Sequence, residues 1–345
     1  MPSLTMQFRH RLRSIHVLAL TTNEDAPFFT QSVESLAKRG VTTTVVPVPG
    51  DPTGPDGRGP REYARYVRDV RQNLDRSVDL VHAHYGLTAP FALSQRRVPV
   101  VLSLWGSDLL GSIGPFSRLV ARFCDEVIVM SPEMAREIDL DVHVIPDGID
   151  LDRFHPIDRD RARRAVGWTE PGYDVLFPYA PHRTVKNHPR AARIVERVDD
   201  RFDVPVRLRT VAGVAHDRVV LYMNAADALL CTSHSEGSPN AVKEALACGL
   251  PIVSTDVGDV RVRTREVDPT VVADDDRTLA DGLEAVLRAQ TRSNGRNAIE
   301  PLRLERTTDA TMAVYRRALT AGSSDEPIVI GTSSAEAPVD RPISR

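Results

Sequence analysis

Two glutamates, Glu236 and Glu244, stand with seven residues between them, and the first four of those seven are Gly237-Ser238-Pro239-Asn240. A carboxylate accepts paired hydrogen bonds from neighbouring hydroxyls, which is how the vicinal diols of sugars and of ribose present themselves. A Gly-Ser-Pro-Asn turn opening a helix offers unpaired N–H groups and the positive end of the helix dipole, a cradle for phosphate. One carboxylate near a sugar, one near a ribose and a diphosphate between them is the layout a nucleotide sugar requires. Two glutamates at this spacing, taken alone, are more often a solvated loop residue and a solvated helix residue. Their surroundings therefore decide the matter.

The stretch Leu229 to Gly258 reads as strand, loop, helix, strand. Ser238 suits an N-cap, Pro239 the first helical position, and Gly249 a left-handed stop. Val242, Ala245 and Leu246 form one apolar stripe to pack on a sheet, and Glu244 falls roughly 7 Å along the helix by its rise per residue. The same alternation of short apolar runs with helical periodicity recurs along the whole chain, the pattern of βαβ units and a parallel sheet. Strands are expected at 15–20, 43–48, 79–84, 98–104, 126–130 and 142–145. A second set is expected at 175–179, 206–211, 228–232, 251–255 and 270–272. The fold class is α/β, with two doubly wound halves and a linker at about 150 to 165, where Pro146 to Pro156 interrupts regular structure. The Pro- and Gly-dense loop from Pro49 to Pro60 follows a strand and could overhang the cleft.

With 345 residues, 41% hydrophobic and 26% charged, the chain has the composition of a two-domain globular protein, without a run long enough to span a membrane. A formal net charge of -3 supplies no general drive toward nucleic acid. The basic opening before Ile15 to Leu20 lacks a signal-peptide core, and the three cysteines, Cys124, Cys231 and Cys248, lack metal-type spacing. A cytoplasmic location is expected. From Gly322 onward Ser, Pro, Ala and acidic residues predominate, the composition of a disordered tail.

The pattern Ser-x-x-Glu-Gly-x-Pro-Asn-x-x-x-Glu-Ala-x-Ala-x-Gly-x-Pro-x-Val-x-Thr-x-x-Gly, from Ser233 to Gly258, closely resembles the donor-binding signature of the retaining glycosyltransferases of family 4. The resemblance extends from about residue 14 to 319. It implies the GT-B fold, two Rossmann-like doubly wound parallel-sheet domains facing across a cleft. It implies that Glu236 contacts the donor sugar, that Glu244 binds the ribose, and that Gly237, Ser238, Pro239 and Asn240 line the diphosphate. A loop after the first strand of the second domain should supply an Arg and a Lys to neutralise the leaving diphosphate. In Phe177-Pro-Tyr-Ala-Pro-His-Arg-Thr-Val-Lys-Asn187 these are Arg183 and Lys186. This loop departs from the usual Gly-Arg. No metal is needed for donor binding, and no cofactor beyond the nucleotide-diphosphate sugar as co-substrate.

In the first half, Asp79-Leu-Val-His-Ala-His-Tyr-Gly86 and Val100-Val-Leu-Ser-Leu-Trp-Gly-Ser-Asp108 look like family landmarks, and with Val144 to Asp150 they bring His84, Trp105, Asp108 and Asp147 toward the cleft. Two departures stand out. Thr21 to Pro27 replaces the family's Gly-Gly turn, and Trp105 replaces a histidine, either stacking on a sugar or packing in the core. Arg61, Arg65, Arg68 and Arg76 line one side of an expected helix, a solvated face or a contact for anionic lipid.

The resulting division is 1–155 for an acceptor-side domain, 156–303 for a donor domain, 304–320 for a helix crossing back, and 321–345 for the tail. The implied activity is transfer of a sugar from a nucleotide-diphosphate sugar to a hydroxyl of a glycan, glycolipid or lipid-linked sugar, with peripheral membrane contact at the cytoplasmic face. A GT-B sugar-nucleotide epimerase and an inactive glycosyltransferase-like scaffold are the alternatives. A dehydrogenase is disfavoured because neither half has Gly-x-Gly-x-x-Gly after its first strand. Donor, acceptor and oligomeric state are not readable from the sequence.

Overall fold

The computed structural model describes residues 14–50, 58–320 and 327–331. The basic opening, most of the Pro/Gly loop and the greater part of the tail lie outside the described residues. All eleven expected strands form, with ends within two residues of expectation. In the first half they are β1 (His16–Thr21), β2 (Thr42–Pro47), β3 (Leu80–His84), β4 (Val100–Leu104), β5 (Glu126–Val129) and β6 (His143–Val144). These make one parallel sheet in the order β2-β1-β3-β4-β5-β6. Strands β3 and β4 are buried along their whole length, which is why their sequences do not alternate.

The second half holds β7 (Tyr173–Phe177), β8 (Val206–Thr210), β9 (Ala228–Cys231), β10 (Ile252–Ser254) and β11 (Thr270–Val272), parallel in the order β11-β10-β9-β7-β8. Strand β7 begins two residues before its expected start. Asp174 lies fully buried within it, its charge countered by Arg163 at 2.6 Å and Arg209 at 2.6 Å. Strand order reverses between β1 and β3 in one sheet and between β7 and β9 in the other. Ligands of open parallel sheets bind beyond the carboxyl ends of strands at such points. Those ends are Thr21, His84, Phe177 and Cys231, which lead into the loops that carry the candidate residues.

Two crossings of the chain between the sheets lie side by side. Ile149 donates to the Leu302 carbonyl at 2.9 Å and Leu304 donates to the Ile149 carbonyl at 2.9 Å. The first crossing comes earlier than the expected boundary at 155, since Ile149, Leu151 and Phe154 already pack in the core of the second sheet. Helix Arg159–Val166 then starts on Asp158, whose carboxylate caps the Arg161 N–H at 2.8 Å. Helix Leu304–Leu319 lies on the first sheet, burying Met312, Val314, Tyr315 and Ala318, with the Tyr315 hydroxyl 2.7 Å from His82 Nδ1.

Part of the segment expected to be disordered is ordered. Val144 donates to Ile328 O at 2.8 Å and Ile330 donates to Val144 O at 2.9 Å, so Ile328-Val329-Ile330 adds a parallel bridge to the edge of β6. Three β-branched residues in a row supply the β-propensity that the Ser- and Pro-rich flanks lack.

Candidate active site

The helix of the signature runs Asn240–Ala247, one residue later than its sequence led us to expect. Pro239 is the cap, with extended backbone, and Ser238 caps nothing, because its hydroxyl donates instead to Asp259 Oδ2 at 2.8 Å. The consequence for an anion is unchanged. Among the described residues, the amides of Gly237, Ser238, Asn240 and Ala241 donate to no backbone carbonyl, and they stand at the positive end of the helix dipole. Gly249 ends the helix with φ +65°, as its position implies.

Gly237 serves a close approach. A Cβ there would lie 2.8 Å from the Trp105 carbonyl and 2.9 Å from Met134 Sδ, and Gly106, at φ +121°, would bring its own Cβ to 3.0 Å from Gly237 N. The loops of the two halves therefore touch backbone to backbone at this point, and a side chain on either glycine would push them apart.

Glu236 and Glu244 are both held by partners. Glu236 accepts from the Ser233 hydroxyl at 2.6 Å and pairs with the Lys186 ammonium. Lys186, buried, also lies over the Tyr179 ring, 4.1 Å from its centroid. Burial drives the Tyr179 hydroxyl well above its ordinary pKa, so it stays neutral beside these charges. Arg183 is exposed, with no ion pair to its guanidinium among the described residues. Glu244, 7% exposed, accepts from His216 Nε2 at 2.8 Å. His216 Nδ1 faces two donors, Gln31 Nε2 at 3.1 Å and Arg153 Nη1 at 3.3 Å, so Nδ1 is the acceptor and Nε2 carries the hydrogen that Glu244 receives.

Two cavities meet at this loop. One, of ≈ 280 Å³, is lined by Glu244, His216, Phe154, Tyr222 and the loop from Val211 to Val214. The other, of ≈ 380 Å³, is lined by Glu236, Gly237, Ser238, Lys186, His84 and Trp105. Tyr179, Arg183, Asn240 and Ala241 line both. The two carboxylates thus face separate spaces joined across the helix N-terminus, with the free guanidinium at the junction.

On the opposite wall, Trp105 packs against Phe28 with centroids 4.7 Å apart and lies 6.0 Å from the His84 ring. His84 is 7% exposed, its Nδ1 has no hydrogen-bond partner, and burial pushes its pKa down to about 3, leaving a neutral imidazole. Asp108 is not a cleft residue. It is fully buried, and its oxygens accept from the amides of Gly86 at 3.0 Å, Trp105 at 2.7 Å and Gly106 at 3.1 Å. Its work is to pin the two loops that carry the wall. Asp147 is half-buried and accepts from Asn240 Nδ2 at 3.1 Å, while its carbonyl accepts from the fully buried Lys243 at 2.9 Å. Burial raises the Asp147 pKa and lowers that of Lys243, with each charge countering the other's shift.

Sequence reasoning missed His216, Gln31, Tyr179 and Asp259. His216 opens a helix directly after β8, at the carboxyl edge of a strand, and that placement was the available signal. Among the described residues no group of three or more His, Cys, Asp or Glu side chains could hold a metal ion, and no helix is long and apolar enough to cross a membrane.

Comparison with known proteins agrees with this geometry. Residues 10–153 match the family model described as Glycosyltransferase Family 4 and residues 188–289 the one described as Glycosyl transferases group 1, together well over half of the chain. The D-inositol 3-phosphate glycosyltransferase of Mycobacterium tuberculosis is 27% identical over 299 residues, covering 70% of this chain and 62% of the relative. The chain thus spans about three fifths of the length of the curated relatives it matches. Among solved structures, sucrose-phosphate synthase from Thermosynechococcus elongatus superposes with a TM-score of 0.73 at 17% identity, over 89% of this chain and 100% of that one. Anabaena HepE, solved with UDP and glucose, superposes with a TM-score of 0.64 at 15% identity, over 86% and 98% of the two chains. These likenesses establish the fold as GT-B. The chain belongs to the glycosyltransferases of the GT-B, family 4 type.

Proposed function

We propose that this chain catalyses retaining transfer of a sugar from a nucleotide-diphosphate sugar to an acceptor hydroxyl. The observation that carries the reading is the pair of joined cavities, one carboxylate in each, with a helix N-terminus and Arg183 at their junction. The nucleoside fits the Glu244 cavity, where that carboxylate meets the ribose diol and the loop from Val211 to Val214 meets the base. The diphosphate lies on the amides of Gly237, Ser238, Asn240 and Ala241, with Pro239 in contact only. The sugar fits beside Glu236, facing His84 and Trp105.

Transfer breaks the bond from the anomeric carbon to the diphosphate oxygen and forms one to the acceptor oxygen on the same face. The acceptor proton passes to the departing diphosphate, whose growing charge Arg183 and Lys186 stabilise from fixed positions. Glu236, held by Lys186 and Ser233, orients the sugar. Thermal stabilisation by a panel of nucleotide sugars, followed by nucleoside diphosphate release with candidate acceptors, tests this reading. Stabilisation by none, or equal stabilisation after Glu244→Ala, would sink it.

The acceptor class we assign is a glycan, glycolipid or lipid-linked sugar met at an anionic membrane surface. The basic helix Pro60–Asn73 buries Tyr66 and Val70 and exposes Arg61, Arg65 and Arg68, with Arg76 beyond its end. It packs on helix Ala89–Ala92, which packs in turn on helix Gly114–Ala121. On and just after that last helix, Phe116, Leu119 and Phe123 are 40%, 56% and 68% exposed beside Arg118 and Arg122. Arginines flanking exposed phenylalanines suit the headgroup boundary of an anionic bilayer. Flotation with phosphatidylglycerol vesicles should fall severalfold in Phe116→Ser/Phe123→Ser, and equal flotation would refute the contact.

A further inference from the structure

We propose that the carboxyl-terminal segment Pro327–Gly331 positions the diphosphate loop through a buried chain of contacts, Gly331 to Arg263 to Asp259 to Ser238, making Asp259 and Arg263 positioning residues for donor binding. This rests on the donor reading given above.

The Ser238 hydroxyl, on the loop that faces the diphosphate, donates to Asp259 Oδ2 at 2.8 Å, and Arg263 Nε donates to the same oxygen at 2.8 Å. Asp259 and Arg263 are only 2% and 5% exposed, so solvent screens neither charge. Arg263 Nη1 in turn donates to the Gly331 carbonyl. Gly331 has φ +74°, and a Cβ on it would lie 2.3 Å from Arg263 Nη1. The left-handed backbone favours glycine there, and a side chain would press on the guanidinium and shift it. The other end of the segment is fixed to the first sheet, where Ile328 and Ile330 bond to Val144 and the Ile328 N–H donates to His143 Nδ1 at 2.8 Å. The segment thus spans both halves of the molecule and ends on the ion pair beneath the donor loop.

Electrostatics gives this chain its consequence for an anionic ligand. Asp259 is a buried carboxylate one hydrogen bond away from the loop expected to hold a diphosphate. Unneutralised, it would oppose that ligand and turn the Ser238 hydroxyl away from it. Arg263 cancels its charge, and Gly331 keeps Arg263 in the orientation that does so.

The experiment is calorimetric titration of UDP, ADP and GDP into five proteins. These are the full chain, a chain ending at residue 326, Gly331→Ala, Ser238→Ala, and the truncation combined with Ser238→Ala, each with a melting curve. The nucleotide that binds the full chain should bind the truncated chain and Gly331→Ala about five- to tenfold more weakly, the scale of coupling between residues of one network. In the Ser238→Ala background, truncation should weaken binding clearly less, because only the direct repulsion by Asp259 is left to lose. Unchanged affinity on truncation, or an equal loss with and without Ser238, overturns the proposal. If the truncated chain does not fold, Gly331→Ala decides alone, by weaker binding or by none of the loss. Absence of binding to the full chain by all three nucleotides would instead overturn the donor reading and this inference with it.

Discussion

The two walls of the cleft are built on opposite principles. On the donor side the carboxylates are already engaged, Glu236 with Lys186 and Ser233, Glu244 with His216 and Asp259 with Arg263 and Ser238, while the loop amides and the Arg183 guanidinium stand unpaired among the described residues. On the facing side Phe28, Trp105 and His84 form an aromatic wall whose one buried polar atom without a partner is His84 Nδ1. A ligand carrying two phosphates needs charges fixed before it arrives, because reorganising them during reaction would consume the stabilisation they provide. A neutral sugar and an acceptor hydroxyl need shape and a few uncharged hydrogen-bonding groups. The asymmetry follows the chemistry assigned to each wall, and it can be broken by substitutions on either.

The largest effect is expected at the cations. Arg183→Ala should lower kcat for nucleoside diphosphate release about 10²- to 10³-fold, the scale of removing one preorganised stabiliser of transition-state charge. Since the guanidinium is exposed and forms no ion pair among the described residues, the melting temperature should hardly move. Lys186→Ala should cost as much turnover and also lower stability, because it leaves Glu236 partly buried without its counter-charge. Retained turnover in both variants would mean that the diphosphate leaves without their help.

A smaller loss is expected at the ribose carboxylate. Glu244→Ala should weaken nucleotide binding about ten- to a hundredfold, as expected for losing hydrogen bonds to a charged group. His216→Ala should give a lesser loss, seen in KM for the donor more than in kcat, because that imidazole orients Glu244 and touches no reacting atom in the proposed geometry. An effect of His216→Ala on kcat alone would place the histidine in the chemistry instead.

The contrast between the walls also governs what the sequence could reveal. The donor wall is one continuous stretch: Glu236, Gly237, Asn240 and Glu244 come from a loop and the helix it opens, so spacing along the chain is spacing in space. The strands were equally legible, because a parallel sheet covered on both faces demands unbroken runs of Val, Ile and Leu. What was lost came from distance in sequence. Ser238 reads as a cap until Asp259, from beyond β10, takes its hydroxyl. Asp108 reads as a cleft acid until its three amide donors from two loops are seen. His216 reads as an ordinary helix residue until Glu244 and Gln31 meet it from either side. The ordered run at 328–330 was hidden by the composition of its flanks, since composition averages over a window wider than three residues.

The remaining effect lies in the aromatic wall and is read as stability against pH. His84 has a folded pKa of about 3 against 6.5 for the free side chain, because burial disfavours its charged form. Above pH 6.5 both folded and unfolded chains carry it neutral, and it contributes no pH dependence. As pH falls below 6.5 the unfolded chain takes up a proton that the folded chain refuses, so stability declines until the folded imidazole itself titrates near 3. Within that window the slope from this one group is about 1.4 kcal/mol per pH unit. The neighbouring His82, with its ring centroid 3.8 Å from that of His84, is shifted the same way, so the wild-type curve alone cannot separate the two. His84→Gln keeps a neutral polar group and removes one of the two titrations. Denaturant melts of both proteins between pH 7 and pH 4 should therefore diverge, the variant gaining relative stability with each step into acid. Parallel curves would mean that His84 is protonated in the folded protein, and the wall would then hold a cation where a neutral hydrogen-bonding group is assigned.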